Sequence, residues 1–257
     1  MIEDKKPEEI QILKRIRAIT DERPTYGYPR VTALLRKELV LEGLAPINHK
    51  RVYRIMRENN LILTRYEAKR TRTHDGTIVT LKSNLRWCTD IFQIRCWNGD
   101  LVRVAFSLDC CDREAMRYVA SSSGIDGSLI RDLMTETLEY RFGPVRRTPH
   151  KIQWLSDNGP QFVSHETIEY GRALGFEMCT SPAYCPESNG MAEAFVKRFK
   201  RDYVYVNKLQ DARSVMEQLP AWFRDYNQKA PHKGLKMMSP WEYLGKNQSI
   251  SVSGFTG

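Results

Sequence analysis

Apolar residues in the first sixty positions recur at intervals of three and four. Ile10, Ile12, Leu13, Ile16 and Ile19 stand among charges after Pro7-Glu8-Glu9, a spacing that predicts an amphipathic helix over residues 7–23. Tyr26-Gly27-Tyr28-Pro29 breaks it. A second helix fits Val31 to Leu39 and a third fits His49 to Glu58, with Asn48 placed to cap it. In the third helix Val52, Ile55 and Met56 make an apolar stripe, which leaves Lys50, Arg51, Arg54 and Arg57 for the surface. Two readings stay open: a helix-turn-helix-like module whose Lys50, Arg51 and Arg54 contact phosphate, or a helical bundle with a solvated basic face.

Periodicity lapses over residues 64–76, TRYEAKRTRTHDG, which read as a polar linker; its Lys69, Arg70 and Arg72 also suit an arm lying along phosphates. Beyond it the pattern becomes one of strands: Trp87 to Cys96, Leu101 to Leu108 and Arg117 to Ala120. A helix follows at about 128–141, then the strand Ile152–Ser156, a helix near 164–174, the strand Phe176–Thr180 and a long helix from about Ser188. Strands first, then helix alternating with strand, predict an α/β domain with a mixed sheet flanked by helices. The tail carries one more helical stripe (Val215, Leu219, Trp222, Phe223, Tyr226) and a Pro-rich stretch ending Ser239-Pro240-Trp241-Glu242-Tyr243-Leu244. The domain expectation is 1–63 helical, 64–80 linker, 81–205 catalytic core and 206–257 a C-terminal helical extension.

Composition narrows the function classes. The chain has 257 residues, and its 40 Lys and Arg against 31 Asp and Glu give +9, a balance that favours an anionic partner such as nucleic acid. No apolar run reaches the roughly 18 residues of a membrane span and no signal peptide opens the chain, so a cytoplasmic protein with no membrane partner is expected. The six cysteines show no Cys-x-x-Cys pair and no zinc-type His spacing, and read as reduced, mostly buried thiols.

Three carboxylates stand out. Asp157 follows the apolar strand Trp154-Leu155-Ser156 and opens the turn Asn158-Gly159-Pro160; it is either an ordinary turn-forming Asp or a group at the carboxyl end of a strand, where α/β sheets gather function. Asp90 lies inside the strand RWCTDIFQI, where burying an unpaired charge is costly, so it needs a basic partner or a metal ion. Glu193 sits on a predicted helix with Lys197 and Lys200 at i+4 and i+7; this is a routine surface ion pair or a metal ligand beside two phosphate-binding cations. An oxygen-only set of three carboxylates favours Mg²⁺ or Mn²⁺, and two such ions suit phosphodiester displacement. Asp109 rivals Asp90 as the first ligand because, like Asp157, it ends an apolar strand, and Glu187 is a weaker rival for Glu193.

Trp87-Cys88-Thr89-Asp90, Ser156-Asp157-Asn158-Gly159 and Pro186-Glu187-Ser188-Asn189-Gly190-Met191-Ala192-Glu193 resemble the retroviral-integrase-like core of DDE transposases. Thirty-five residues stand between Asp157 and Glu193, as in that family, and Lys200 follows seven beyond. Asn48 to Met56, Tyr226-Asn227, Pro231-His232 and Ser239-Pro240 resemble the second reading-frame product of bacterial insertion elements of the IS-three family. Leu108 to Ala115 and Phe195 to Tyr203 suggest its subgroup two. Phe92 and Ala194 stand where many relatives have Thr and Ser.

The resemblance implies a ribonuclease-H-like, five-stranded mixed sheet preceded by a small all-helical, helix-turn-helix-like segment. It implies a Mg²⁺-dependent transposase that cleaves and joins DNA, with Asp90, Asp157 and Glu193 as catalytic metal ligands for two ions and Mn²⁺ able to substitute. Ser188, Asn189, Gly190, Lys197 and Lys200 would hold element-end DNA. Double-stranded DNA (terminal repeats and target), other copies of the chain, the upstream reading-frame product or a fusion with it, and a nucleoid-associated location complete the expectation. The competing classes are a non-catalytic DNA-binding regulator of transposition and a nuclease acting on hybrid duplexes.

Overall fold

The computed structural model describes residues 7–63, 80, 82–180 and 190–253. They form two compact units. The first is built of α1 (Pro7–Glu22), α2 (Tyr28–Leu41) and α3 (His49–Glu58), together with the segment 231–239. Ile12, Ile16 and Ile19 of α1, Val31, Leu35 and Leu39 of α2, and Val52, Ile55 and Met56 of α3 share one core. The Asn48 side chain accepts a hydrogen bond from the Lys50 backbone N–H at 2.9 Å and caps α3. Helix α2 starts three residues before the expected Val31, because Pro29 in a first turn forfeits only an N–H that has no intrahelical acceptor. Segment 231–239 contributes one 3₁₀ turn, Lys233–Leu235, and a His232–Met238 bridge.

The second unit is organised by a five-stranded sheet in the order β3-β2-β1-β4-β5. Strands β1 (Arg86–Arg95), β2 (Leu101–Asp109) and β3 (Ala115–Ser121) run antiparallel, while β4 (Ile152–Ser156) lies parallel to β1 and β5 (Phe176–Thr180) parallel to β4. On one face Trp87, Ala105, Ile152 and Trp154 pack with α4 (Gly127–Phe142), α5 (Pro160–Val163) and α6 (His165–Ala173). On the other, Cys88, Phe92, Val104, Phe106 and Leu155 pack beneath α7 (Gly190–Phe199) and α8 (Ala212–Gln228). Alternating strand residues thus feed two cores, as period-2 geometry requires.

The third strand begins two residues earlier than expected, and Met116 bulges from it: Leu108 pairs with Ala115 and Ser107 with Arg117. The Pro-rich tail ends in a helix the pattern did not announce, α9 (Pro240–Ser253), which Pro240 opens from its first position. Helix α8 shares the core of β1 and β2. Cys88 and Cys96 are buried free thiols and Cys110, Cys111 and Cys179 half-buried ones, so burial is less complete than expected; Cys185 lies outside the described residues. Among the described residues no helix is long and apolar enough to cross a membrane.

Candidate active site

Asp90 lies midway along β1, the central strand, between Cys88 and Phe92, and alternation directs all three to the face covered by α7. Its Oδ1 accepts the Ile91 backbone N–H at 2.7 Å, and no cation forms an ion pair with it among the described residues. The parallel register pairs Cys88 with Leu155; carried two residues further, it sets Asp157 level with Asp90 on the adjacent strand. Leu155 faces the same core as Cys88, so the alternation that aims Asp90 aims Asp157 as well.

The turn after β4 is built around Asp157. Its Oδ1 accepts the Gly159 N–H at 2.9 Å, and Pro160 then starts α5. A Cβ at Gly159 would lie 3.0 Å from Asp157 Oδ1 and would collide with the Gln161 side chain, so the glycine allows the tight return. Helix α7 supplies the third carboxylate. Ala192, Phe195 and Phe199 point into the core, with the Phe195 and Phe106 ring centroids 4.3 Å apart and those of Phe199 and Phe92 5.5 Å apart. That anchorage leaves Glu193 and Lys197 exposed, and no ion pair joins them, which removes the routine i,i+4 reading. At Lys200 the helix passes into a π-helical turn, Lys200–Val204, and the Lys200 Nζ stands 5.9 Å from the centre of the Phe92 ring.

Electrostatics tie these groups together. The Asp90 carboxyl is pushed up to about 6, first by burial and then by the charges of Asp157 and Glu193; the Ile91 N–H and the Lys200 ammonium oppose the rise. Both carboxylates and the lysine are therefore felt at Asp90. No three Asp, Glu, His or Cys side chains among the described residues enclose a metal-sized cage, so the carboxylates are neighbours and not a closed coordination shell.

Asp109 is placed elsewhere. It is the last residue of β2, opposite Trp87 at the start of β1, fully buried and engaged by Arg141, the Trp87 indole N–H and the backbone N–H groups of Asn84, Cys111 and Asp112. Its acceptors are used in holding the β2–β3 turn. Glu187 lies outside the described residues, as do Lys69, Arg70, Arg72, Ser188 and Asn189; Gly190 opens α7. In the first unit Lys50 is exposed and forms no ion pair among the described residues, whereas Arg51 meets Glu8 at 2.9 Å and Arg54 meets Glu9 at 2.7 Å.

Phe92 is the residue the pattern undervalued. It appeared as a departure from the family, yet its ring packs against Phe199 and Phe106 and lies under the Lys200 ammonium. Its position two beyond Asp90, on the same face, was the signal available.

Comparison with known proteins gives the chain its family. Residues 7–70 match the HTH-like domain family, and residues 81–186 and 174–240 match two families described as integrase core domain. Transposase InsD for insertion element IS2A/D/F/H/I/K of Escherichia coli is 42% identical over 249 residues, 96% of this chain and 82% of the relative. Transposase InsD for insertion element IS2-9 of E. coli strain K12 is equally similar over 96% of this chain and 80% of its own. Among solved structures, a chain of the simian T-cell lymphotropic virus intasome, imaged with PP2A regulatory subunit B56 gamma, superposes with a TM-score of 0.53 at 16% identity, covering 81% of this chain and 69% of that one. At that identity the likeness is one of fold, the ribonuclease-H-like integrase core.

Proposed function

We propose, from the premise that this chain belongs to the IS-three insertion-element transposases, the family of the InsD proteins, that Asp90, Asp157 and Glu193 hold the divalent metal ions of its reaction. Membership makes the activity DNA transposition, a polynucleotidyl transfer. The observation that carries the assignment is the convergence on Asp90: a half-buried carboxylate that forms no ion pair among the described residues, pushed up to about 6 by burial and by the other two acids.

Such a group fits a cation. The donor set is oxygen alone, which suits Mg²⁺ and, in its place, Mn²⁺, and a bound ion would offset both the burial and the repulsion that raise Asp90. When bound, two such ions supply activation of the attacking oxygen and stabilisation of the leaving oxygen in an in-line phosphodiester displacement. The chain's own residues do the positioning. The Ile91 N–H fixes one oxygen of Asp90, the Gly159 N–H fixes one oxygen of Asp157, and the aromatic anchorage of α7 holds Glu193 over the sheet. Lys197 and Lys200 follow Glu193 at i+4 and i+7 and offset phosphate charge, and Ser188, Asn189 and Gly190, just before them in sequence, join in holding the element-end DNA. Lys50, Arg51 and Arg54 of α3, with Lys69, Arg70 and Arg72 after it, supply further phosphate contacts. Assembly of several copies on DNA, cooperation with the upstream reading-frame product and a nucleoid location follow from the same reading.

The test is strand transfer from a labelled oligonucleotide carrying the element's terminal repeat, in Mg²⁺ or Mn²⁺, with Asp157→Asn and Glu193→Gln beside the unaltered chain. Each substitution lowers joining by more than the roughly 10- to 100-fold typical of residues that only support a ligand, while binding to the same DNA persists. A variant that joins as fast as the unaltered chain removes that residue from the metal site.

A further inference from the structure

A cavity of about 460 Å³ opens at the edge strand β3, bounded by α4, α8 and the start of α9. Four aromatic residues, Tyr118, Tyr140, Phe223 and Trp241, stand among its lining side chains. Tyr118 and Phe223 stack with ring centroids 4.1 Å apart and planes 14° from parallel, and the Arg117 guanidinium lies 4.6 Å from the centre of the Tyr140 ring. The polar ends of Tyr140 and Trp241 are already committed: the hydroxyl and the indole N–H both donate to Glu114 Oε1 at 2.7 Å. Those rings are thereby held in place and offer the cavity apolar surface.

The strand edge is partly closed. The Asn227 amide accepts from the Ala115 N–H at 2.9 Å and donates to the Ala115 carbonyl at 2.8 Å, occupying the groups an added strand would need there. Charge gives the cavity a sign. Arg117 and Arg224 line it against one carboxylate, Glu136, and neither arginine makes an ion pair among the described residues.

We propose that this cavity takes one unpaired nucleotide of a bound DNA strand, its base against the aromatic walls and its phosphate against Arg117 and Arg224. The volume is that of a small-ligand site, and a flat ring beside fixed aromatic surface and unpaired guanidiniums is what single-strand recognition uses. An acidic peptide would answer the same charge, but the amide-closed edge at Ala115 and the DNA substrate of the family favour the nucleotide. The inference rests on DNA as the substrate and is independent of the three acidic ligands.

The experiment uses the full chain without divalent metal, so that failure of catalysis and failure of this site are separable. A single-stranded oligonucleotide carrying one 2-aminopurine is compared with the same strand made abasic at that position. Binding quenches the 2-aminopurine, and the abasic strand binds about ten-fold more weakly, the effect of losing one stacked base. Arg224→Glu abolishes the quenching and leaves thermal melting unchanged, since that side chain has no ion pair to lose; Trp241→Leu is the second variant. Equal affinity for the two strands, or quenching that survives both substitutions, overturns the site. An acidic tyrosine-containing peptide that saturates the chain in an Arg224-dependent way, with no response to the oligonucleotide, also overturns it and makes the cavity a peptide groove.

Discussion

Asp109, Asp112 and Glu114 are buried around one guanidinium, Arg141, at 3.4, 2.9 and 2.8 Å. Three carboxylates against one cation leave a surplus of negative charge, and the Asp109 carboxyl is pushed up to about 6, mainly by burial, then by Asp112, with Arg141 opposing. An unfolded Asp titrates near 3.9, so the folded chain holds the Asp109 proton more tightly than the unfolded chain does. The stability this contributes is full below about pH 4 and is lost as pH rises through about 6. Denaturation midpoints measured from pH 4 to pH 7 therefore show the unaltered chain losing ground relative to Asp109→Asn across that window; an unaltered chain that gains on the variant as pH rises contradicts the assignment. The residue pattern by itself leaves Asp109 level with Asp90, since both sit on apolar strands; only the family resemblance put Asp109 at the turn between the second and third strands, away from Asp157. The partner that holds it there, Arg141 of α4, stands 32 residues away, and no local pattern records it.

Elements were legible where local signals agreed with packing. Helix α3 is found residue for residue as the pattern predicts, its stripe buried and its cap formed, and β4 and β5 likewise. The bulge at Met116, where the Arg117 N–H donates to the Ser107 hydroxyl, was hidden because it rests on cross-strand pairing, and α9 was hidden behind a proline that begins a helix instead of ending one. Charges on α3 were legible as a group but not individually. Glu8 and Glu9 of α1 take up Arg51 and Arg54, and Arg54 also approaches Glu58 at 3.5 Å, while Lys50 stays exposed. Lys50→Ala should therefore flatten the dependence of DNA affinity on salt by about one unit of slope, and Arg54→Ala by less, because its charge is already partly matched. Glu9→Gln should steepen it. Equal losses from Lys50→Ala and Arg54→Ala, read from binding titrations at several salt concentrations, would show that the pairs open on DNA at no cost.

The chain passes between its units more than once: residues 231–239, between α8 and α9 of the sheet unit, belong to the helical unit. Within that segment His232 and Leu235 are each 2% exposed, and the backbone at Lys236 and Met237 turns through positive φ, 54° and 64°, in a conformation that L-residues hold only when neighbours enforce it. Sequence showed Pro231-His232 and Ser239-Pro240 as a signature but not that the segment returns to the first unit, because contacts so distant in sequence leave no periodicity. A fragment beginning at residue 80 keeps Asp90, Asp157 and Glu193 and strips this segment of the helices it clusters with. Limited proteolysis should then cut the fragment first within 231–239, while the full chain is protected there; local opening of an uncovered, strained loop precedes that of the sheet. The sheet's own core, with Trp222, Phe223 and Tyr226 of α8 among its members, draws nothing from residues before 80. Equal protection of 231–239 in both proteins would mean that the loop is held by its own 3₁₀ turn and bridge, and that the boundary between the two units runs elsewhere.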